Sequence, residues 1–291
     1  MTSTFAPPES RFVAARNGLR LHYVDYANPS ATRLPLVCLS GLARTSDDFC
    51  LVAKAAQQAG RRALALDYRG RGRSEWDKDW RNYDPDIEED DIFTVLGEAG
   101  VTEAVFFGTS RGGLHTMRIA KARPGVIRAA ILNDIGPVIE KDGLLRIKGY
   151  VGKMPPLQKM KDAAALMRFS ASATFPAITP GQWEIFARQT FEEHDGKVRL
   201  RYDPELNHTL DSVAPDADVE DFWEGFSALS AVPILAIRGE TSDILSVATF
   251  DEMARRAPGM ERYTVPGQGH APLLLDQPTI DRVMTFLAGC A

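Results

Sequence analysis

A serine between two glycines stands where a strand pattern gives way to a helix pattern. Gly108-Thr109-Ser110-Arg111-Gly112 follows the apolar residues 104–107, and helical spacing continues to about Ala122. Gly-x-Ser-x-Gly at such a junction indicates a sharp turn that lifts the serine hydroxyl from the carboxyl edge of a sheet. The glycines let strand and helix close together without side-chain collisions. Ser110 is therefore the candidate nucleophile, although the same pattern also occurs in glycine-rich turns without chemistry.

A serine hydroxyl is a weak nucleophile and needs a base that takes its proton during attack. His270 lies in the glycine-rich segment after the last strand pattern, and such loops gather at the carboxyl edge of a sheet together with Ser110. The other four histidines fall on the opening hairpin, on the helix after Ser110 or in the long middle segment: His22, His115, His194 and His208. His270 is therefore predicted to be the general base.

The base needs a carboxylate that holds its tautomer and stabilises its charged form. Asp243, in the loop after the strand pattern of residues 233–237, is the first choice. Asp134, in the loop after the strand that follows Ser110, is the alternative. Either acid could instead cap a helix or accept hydrogen bonds from loop amides. Along the chain the three residues come in the order Ser110, Asp243, His270.

Attack on a carbonyl builds negative charge on its oxygen, and backbone amides can stabilise that charge. One donor is predicted to be the amide of Arg111, directly after the nucleophile at a helix N-terminus. The other is predicted to be the amide of Leu42, in the loop after the apolar strand pattern of residues 34–39. Together these residues predict acyl transfer through a covalent intermediate.

The elements that must position these residues alternate between strand and helix patterns. An Asn17-Gly18 turn between two strand patterns predicts an antiparallel hairpin at the start. Short apolar runs then predict buried parallel strands, separated by helical patterns. The predicted strands cover residues 11–15, 19–26, 34–39, 62–66, 104–107, 126–132, 233–237 and 262–265. This order predicts an α/β fold with a mostly parallel, doubly wound sheet.

The alternation stops in the middle of the chain. Residues 137–230 have mainly helical patterns, with a short extended segment near Val198. Thr179-Pro180-Gly181-Gln182 predicts a helix start, because it combines a capping box with proline at the first helical position. Residues 1–136 and 231–291 are therefore predicted to form two parts of one α/β core, and residues 137–230 an inserted, mainly helical cap.

Composition limits the partners. The 291 residues carry a net charge of −5 and a pI near 5.6, which argues against a nucleic-acid or anionic-membrane partner. No apolar run has the length of a membrane span, and residues 1–10 lack the apolar core of a signal peptide, so a cytoplasmic location is expected. The three cysteines are scattered without metal-ligand spacing. We expect a small-molecule substrate, no metal and no organic cofactor; the sequence leaves open whether the protein forms a homo-oligomer.

The motifs together resemble the α/β-hydrolase superfamily, in its branch with a helical cap. The matching segments are Leu39-Ser40-Gly41 and residues 67–74, 108–113, 238–243 and 267–272. The resemblance implies a serine hydrolase, and the branch includes esterases, lactonases and C–C bond hydrolases. Relatives that remove halogens or open epoxides use an aspartate where this chain has Ser110. Two departures are Ser40, where many members have histidine, and Arg111, whose side chain could meet a substrate carboxylate or pair with a nearby acid.

Three functions are compatible with these residues. The leading hypothesis is hydrolysis of a carboxylic ester or lactone through an acyl-enzyme on Ser110. The second uses the same residues to cleave a C–C bond of a meta-cleavage-type dienoate, for which Arg111 or a cap arginine would bind a carboxylate. The third is a ligand-binding or signalling protein on a hydrolase scaffold, which would have no need of a serine, a histidine and an acid together.

Overall fold

The strands described by this computed structural model include all eight predicted ones and two short strands in the middle of the chain, one of them at the extended segment predicted near Val198. They are β1 (Glu9–Ala14), β2 (Arg20–Tyr26), β3 (Leu36–Leu39), β4 (Ala63–Asp67), β5 (Ala104–Thr109), β6 (Ile127–Asn133), β7 (Phe191–His194), β8 (Lys197–Leu200), β9 (Ile234–Gly239) and β10 (Glu261–Val265). The structure describes residues 6–290, so half of the N-terminal segment on which the expected cytoplasmic location depends lies outside it. No helix within residues 6–290 combines the length and apolar character needed to cross a membrane.

One eight-stranded sheet has the order β1-β2-β4-β3-β5-β6-β9-β10. The first two strands form the predicted antiparallel hairpin, and Gly18 in its turn has a φ of 85°. The other six strands of this sheet run parallel to one another: β4, β3, β5, β6, β9 and β10. Every residue of β3, β4 and β5 is buried, as their continuous apolar sequences require. The predicted α/β class with a mostly parallel sheet is confirmed.

Helices cover both faces of the sheet and fill the middle of the chain. They are α1 (Cys50–Gln58), α2 (Pro85–Glu98), α3 (Arg111–Ala122), α4 (Lys141–Tyr150), α5 (Met160–Ala171), α6 (Pro180–Thr190), α7 (Trp223–Leu229), α8 (Val247–Arg256) and α9 (Gln277–Gly289). The capping box predicted at Thr179 and Gln182 is present at the start of α6. Two separate apolar clusters, each built on β3 to β6 and β9, show that the sheet has a core on either side.

Residues 137–230, which we call the insert, connect β6 to β9 and contain α4 to α7 with the β7–β8 hairpin. The insert contacts loops that leave the carboxyl ends of several sheet strands. Gln189 Nε2 donates to the carbonyl of Asp47 at 3.0 Å, after β3. Thr241 Oγ1, after β9, donates to the carbonyl of Thr174 at 2.6 Å. The insert therefore rests on the edge of the sheet from which Ser110 projects.

Candidate active site

The turn at Ser110 has the strained geometry that the sequence predicts. Ser110 is the N-cap residue of α3, with φ 52° and ψ −116°, a region that side chains rarely occupy. Its side chain forms no cap hydrogen bond, so the hydroxyl is directed elsewhere. A Cβ added to Gly108 would lie 2.4 Å from the carbonyl carbon of Gly112. The glycines thus permit the close approach of β5 and α3 that presents Ser110 at the sheet edge.

Replacing Gly112 with alanine is expected to destabilise the fold by about 3 kcal/mol or more. The new Cβ would lie 2.1 Å from the carbonyl oxygen of Leu39, and a clash with backbone cannot be relieved by a rotamer change, so the cost reaches or exceeds that of ordinary overpacking, roughly 1–3 kcal/mol. Gly97→Ala is the matched control. Gly97 lies within α2 with nothing within 4 Å of an added Cβ, so alanine should stabilise by about 0.5–1 kcal/mol. Urea unfolding of both variants measures the difference, and equal unfolding midpoints would contradict the prediction.

A serine, a histidine and an aspartate are joined by two consecutive hydrogen bonds at the carboxyl edge of the sheet. His270 Nε2 is 2.9 Å from Ser110 Oγ. His270 Nδ1 is 2.8 Å from Asp134 Oδ2. The imidazole side chain is 6% exposed and the Asp134 carboxylate is fully buried, so water does not compete for the hydrogen bond between them. With a proton on Nδ1, Nε2 can accept the serine proton.

The Asp134 carboxylate is held by donors from three segments. Its Oδ1 accepts a hydrogen bond from the Gly239 amide at 2.7 Å, and its Oδ2 accepts one from Ser242 Oγ at 2.6 Å. The backbone of Asp134 has a positive φ of 55° directly after β6. Three hydrogen-bond partners, including His270, fix the orientation of this buried acid toward the imidazole.

The structure corrects the first choice for the acid. Asp243 forms no hydrogen bond with His270 within residues 6–290; it forms a two-point ion pair with Arg146 of α4, with 2.7 Å between Arg146 Nη2 and Asp243 Oδ1. Burial raises the pKa of Asp243, but the Arg146 guanidinium outweighs that effect and the net shift is downward. The physical reason is geometric: Asp134 follows β6, the strand beside β5, whereas Asp243 follows β9 and meets the insert. The alternative acid, Asp134, is the one that contacts the histidine.

The two residues predicted to supply the oxyanion donors lie on segments next to Ser110. Arg111 is the first residue of α3, and Gly41, next to Leu42, would place a Cβ 3.7 Å from Ser110 Cβ. Among the hydrogen bonds of residues 6–290, none is donated by the amide of Leu42 or Arg111. Two unused amides beside the serine hydroxyl can serve a developing oxyanion.

The Arg111 side chain pairs with a buried acid, one of the two possibilities that the sequence leaves open. Its Nε donates to Glu88 Oε2 at 2.6 Å, and His115 Nε2 lies 2.9 Å from the same oxygen. We call Glu88, Arg71, Arg111 and His115 the Glu88 cluster. Burial would raise the pKa of Glu88, but Arg111, Arg71 and His115 outweigh it and hold the pKa well below its usual value. Glu88 is therefore an anion that neutralises its basic neighbours.

The remaining histidines do not approach Ser110. His22 Nδ1 lies 2.6 Å from Asp67 Oδ2 and its Nε2 lies 3.2 Å from Ser10 Oγ on the exposed edge strand β1. This second row of serine, histidine and aspartate has no strand-to-helix turn at its serine. Within residues 6–290, no group of three or more histidine, cysteine and acidic side chains is arranged to hold a metal ion.

The chain is similar in sequence and in fold to known hydrolases. The alpha/beta hydrolase family matches residues 36–281. The 3-hydroxybutyrate-oligomer hydrolase of Cupriavidus necator is 32% identical, over 98% of this chain and 99% of that protein. The crystal structure of an alpha/beta hydrolase from Novosphingobium aromaticivorans aligns with a TM-score of 0.89 and 36% identity, over 97% of this chain and 99% of that one. The 2-(acetamidomethylene)succinate hydrolase of Mesorhizobium japonicum is 26% identical, over 71% of each chain.

Proposed function

The chain belongs to the alpha/beta hydrolase family, and from that premise we propose that it is a serine hydrolase that cleaves a carboxylic ester through an acyl-enzyme on Ser110. The observation that carries the proposal is the continuous hydrogen-bonded row from Ser110 through His270 to Asp134. A hydroxyl 2.9 Å from an oriented imidazole is an activated nucleophile.

Each step follows from the positions of these groups. Ser110 Oγ attacks the ester carbonyl while His270 Nε2 takes the serine proton. The buried Asp134 stabilises the imidazolium, and the amides of Leu42 and Arg111 donate to the oxyanion. His270 then gives its proton to the departing alkoxide, so an alcohol leaves and the acyl group stays on Ser110. Water deprotonated by His270 attacks the acyl-enzyme, releases the carboxylic acid and restores the serine.

The insert is proposed to act as a cap that bounds the substrate cavity. Arg44, in the loop after β3, donates to Thr190 at the end of α6 and lies over the ring of Phe186, with 4.4 Å between the guanidinium carbon and the ring centroid. Tyr150, at the end of α4, lies beside Arg146, with 5.9 Å between the guanidinium carbon and the ring centroid, and Arg146 pairs with Asp243 in the loop after β9. These contacts join the insert to two loops at the sheet edge and support its role as a cap.

The substrate class that the comparisons support best is an oligoester of a short hydroxy acid. The Cupriavidus necator relative that is named for 3-hydroxybutyrate oligomers covers nearly the whole chain, including the insert. Apolar side chains of the insert, among them Phe175 and Trp183, pack against Leu273 near His270. This packing holds the insert against the segment that carries His270.

The C–C hydrolase is the second candidate, and the similarity to a 2-(acetamidomethylene)succinate hydrolase supports keeping it. It requires Arg111 or a cap arginine to bind a substrate carboxylate. The Arg111 side chain is bound to Glu88, so a cap arginine would have to take that role. The ligand-binding protein has no need of the hydrogen-bonded row at Ser110, and nothing in the fold or the comparisons favours it.

Hydrolysis of the dimer and trimer of 3-hydroxybutyrate, followed by chromatography of the free acid, tests the proposal. A 4-nitrophenyl ester, a lactone and a meta-cleavage-type dienoate complete the panel. We expect turnover of the oligomers and the nitrophenyl ester, and loss of both in the Ser110→Ala variant. Turnover of the dienoate without any ester turnover would favour C–C hydrolysis instead, and no turnover on the whole panel would remove the support for an ester hydrolase.

A further inference from the structure

Arg71 connects the Glu88 cluster to the second oxyanion segment. Its Nη1 donates to Glu88 Oε1 at 2.7 Å, and its Nε donates to the carbonyl oxygen of Leu42 at 2.8 Å. The side chains of Arg71 and Glu88 are both fully buried. Glu88 also binds Arg111, whose own amide is the other donor. One carboxylate is thus bound, through two arginines, to both segments that carry the oxyanion amides.

Stability alone does not account for this arrangement. Taking two charges out of water costs free energy that their attraction often only just offsets, and apolar replacements of buried ion pairs are frequently neutral or stabilising. Arg71 carries an additional cost, because its Nη2 is buried and has no acceptor within residues 6–290. What the pair does provide is a fixed connection between two loops and a helix start.

Such a connection matters for an oxyanion site because its donors act over a narrow range of distances. A backbone amide stabilises the oxyanion when it lies about 2.7–3.1 Å from the place where the charge develops. The Leu42 segment is a loop, and a loop without side-chain support can drift by enough to lose that contact. Holding the Leu42 carbonyl fixes the peptide unit after Leu42, and this limits how far the Leu42 amide, on the other side of the same Cα, can move.

We propose that Arg71 and Glu88 are positioning residues that hold the Leu42 and Arg111 amides within hydrogen-bonding distance of the oxyanion formed at Ser110. The proposal rests on the proposed function, since it assigns these residues to the acyl transfer at that serine. Arg71 and Glu88 do not touch the substrate. They act through the backbone of Leu42 and the side chain of Arg111.

The same loop offers a matched control. Arg69 is buried, lies two residues before Arg71, and forms a two-point ion pair with Asp91 of α2, at 2.6 and 2.8 Å. It also contacts Asp77, at 3.0 Å, and none of its described contacts reaches Leu42 or Arg111. Arg69→Lys and Arg71→Lys therefore each remove a buried guanidinium that pairs with an acid of α2. Only Arg71→Lys also removes a contact with an oxyanion segment.

The experiment compares the two variants on a 4-nitrophenyl ester and on the matched thionoester, in which sulfur replaces the carbonyl oxygen. Lysine is a single point charge that cannot bridge Glu88 and the Leu42 carbonyl as the arginine fork does. Since loss of one oxyanion donor lowers kcat by about 10²–10³-fold, a displaced donor in Arg71→Lys should lower it by about 10–100-fold with KM nearly unchanged. Arg69→Lys should keep kcat within about threefold, even where both variants lose thermal stability.

The ratio of kcat on the oxygen ester to kcat on the thionoester separates a positioning role from a purely structural one, because a loss of stability alone would leave this ratio unchanged. Sulfur is a weak hydrogen-bond acceptor, so the wild-type preference for the oxygen ester reports the oxyanion donors. That preference should fall about tenfold in Arg71→Lys and stay at the wild-type value in Arg69→Lys. An unchanged preference in Arg71→Lys, or an equal loss of kcat in both variants, would overturn the positioning role.

A second variant keeps the proposal testable if Arg71→Lys does not fold. Arg111→Gln retains the backbone amide and removes a side chain that is 15% exposed. It breaks the Glu88 contact and a 3.3 Å hydrogen bond to the carbonyl of Tyr83, and it leaves Arg71 in place. The oxygen-ester preference should fall there also, and a wild-type preference would contradict the proposal. If Ser110→Ala keeps the ester activity of the wild type, both the proposed function and the positioning role fail. If Ser110→Ala is inactive but Arg71→Lys and Arg111→Gln keep the wild-type preference for the oxygen ester, only the positioning role fails.

Discussion

Replacing Ser110 with alanine is expected to lower kcat for an activated ester by about 10⁴–10⁶-fold, since removing the nucleophile of a serine hydrolase can cost about as much as removing the whole triad. The variant should fold normally, because alanine has the same backbone strain at φ 52° and the hydroxyl makes no cap hydrogen bond. Steady-state rates and the missing burst of nitrophenolate measure the effect.

Ser10→Ala is the control for that result. Ser10 Oγ also lies near a histidine, 3.2 Å from His22 Nε2, but it is on an exposed edge strand without the turn or the amides of the candidate site. Its kcat should stay within about threefold of wild type. Residual activity in Ser110→Ala within tenfold of wild type, or a large loss in Ser10→Ala, would show that another group is the nucleophile.

Asp134→Asn is expected to lower kcat by about 10⁴-fold, as the corresponding change does where an aspartate fixes the tautomer of a catalytic histidine. An amide at this position would favour the wrong tautomer of His270, whose Nδ1 lies 2.8 Å from Asp134 Oδ2. Asp243→Asn removes an acid in the neighbouring loop that pairs with Arg146 instead. Its kcat should stay within about tenfold, and its stability should change little because partly exposed ion pairs contribute roughly 0–1 kcal/mol.

The kcat values of the two variants together distinguish the acids. A 10⁴-fold loss in Asp243→Asn with a nearly active Asp134→Asn would mean that the side chains exchange partners in solution, and it would return the role to the first choice of the sequence.

The alternation of apolar runs with helical patterns was enough to predict the strands of the sheet, because buried parallel strands require nearly continuous apolar sequence. The turn at Ser110 was also predictable, since Gly108 and Gly112 have a steric reason to be glycine. The acid was harder. Asp134 and Asp243 both follow strands at the same edge, and only the side-chain contacts show that Arg146 takes one of them. The sequence offers no pattern for a contact between the insert and a loop.

The Glu88 cluster had a signal that the prediction missed. Acids at the start of a helix are favoured by the helix dipole wherever they point. That general explanation does not distinguish a buried acid such as Glu88 from an exposed one. Glu88 lies one turn before Ile92 and two turns before Val95, on the apolar face of the helix, and all three are buried. An acid at helical spacing with core residues must find buried partners, and Arg71 and Arg111 are those partners.

The most direct test of an acyl-enzyme on Ser110 is intact-mass and peptide analysis of the protein after treatment with a fluorophosphonate. The geometry predicts one adduct, on Ser110, and at least about 100-fold slower labelling in His270→Ala, where the serine proton has no acceptor. Ser110→Ala should remain unlabelled. An adduct on Ser10 or another residue, or a folded wild-type protein that takes up no reagent, would contradict the assignment of Ser110 as the nucleophile.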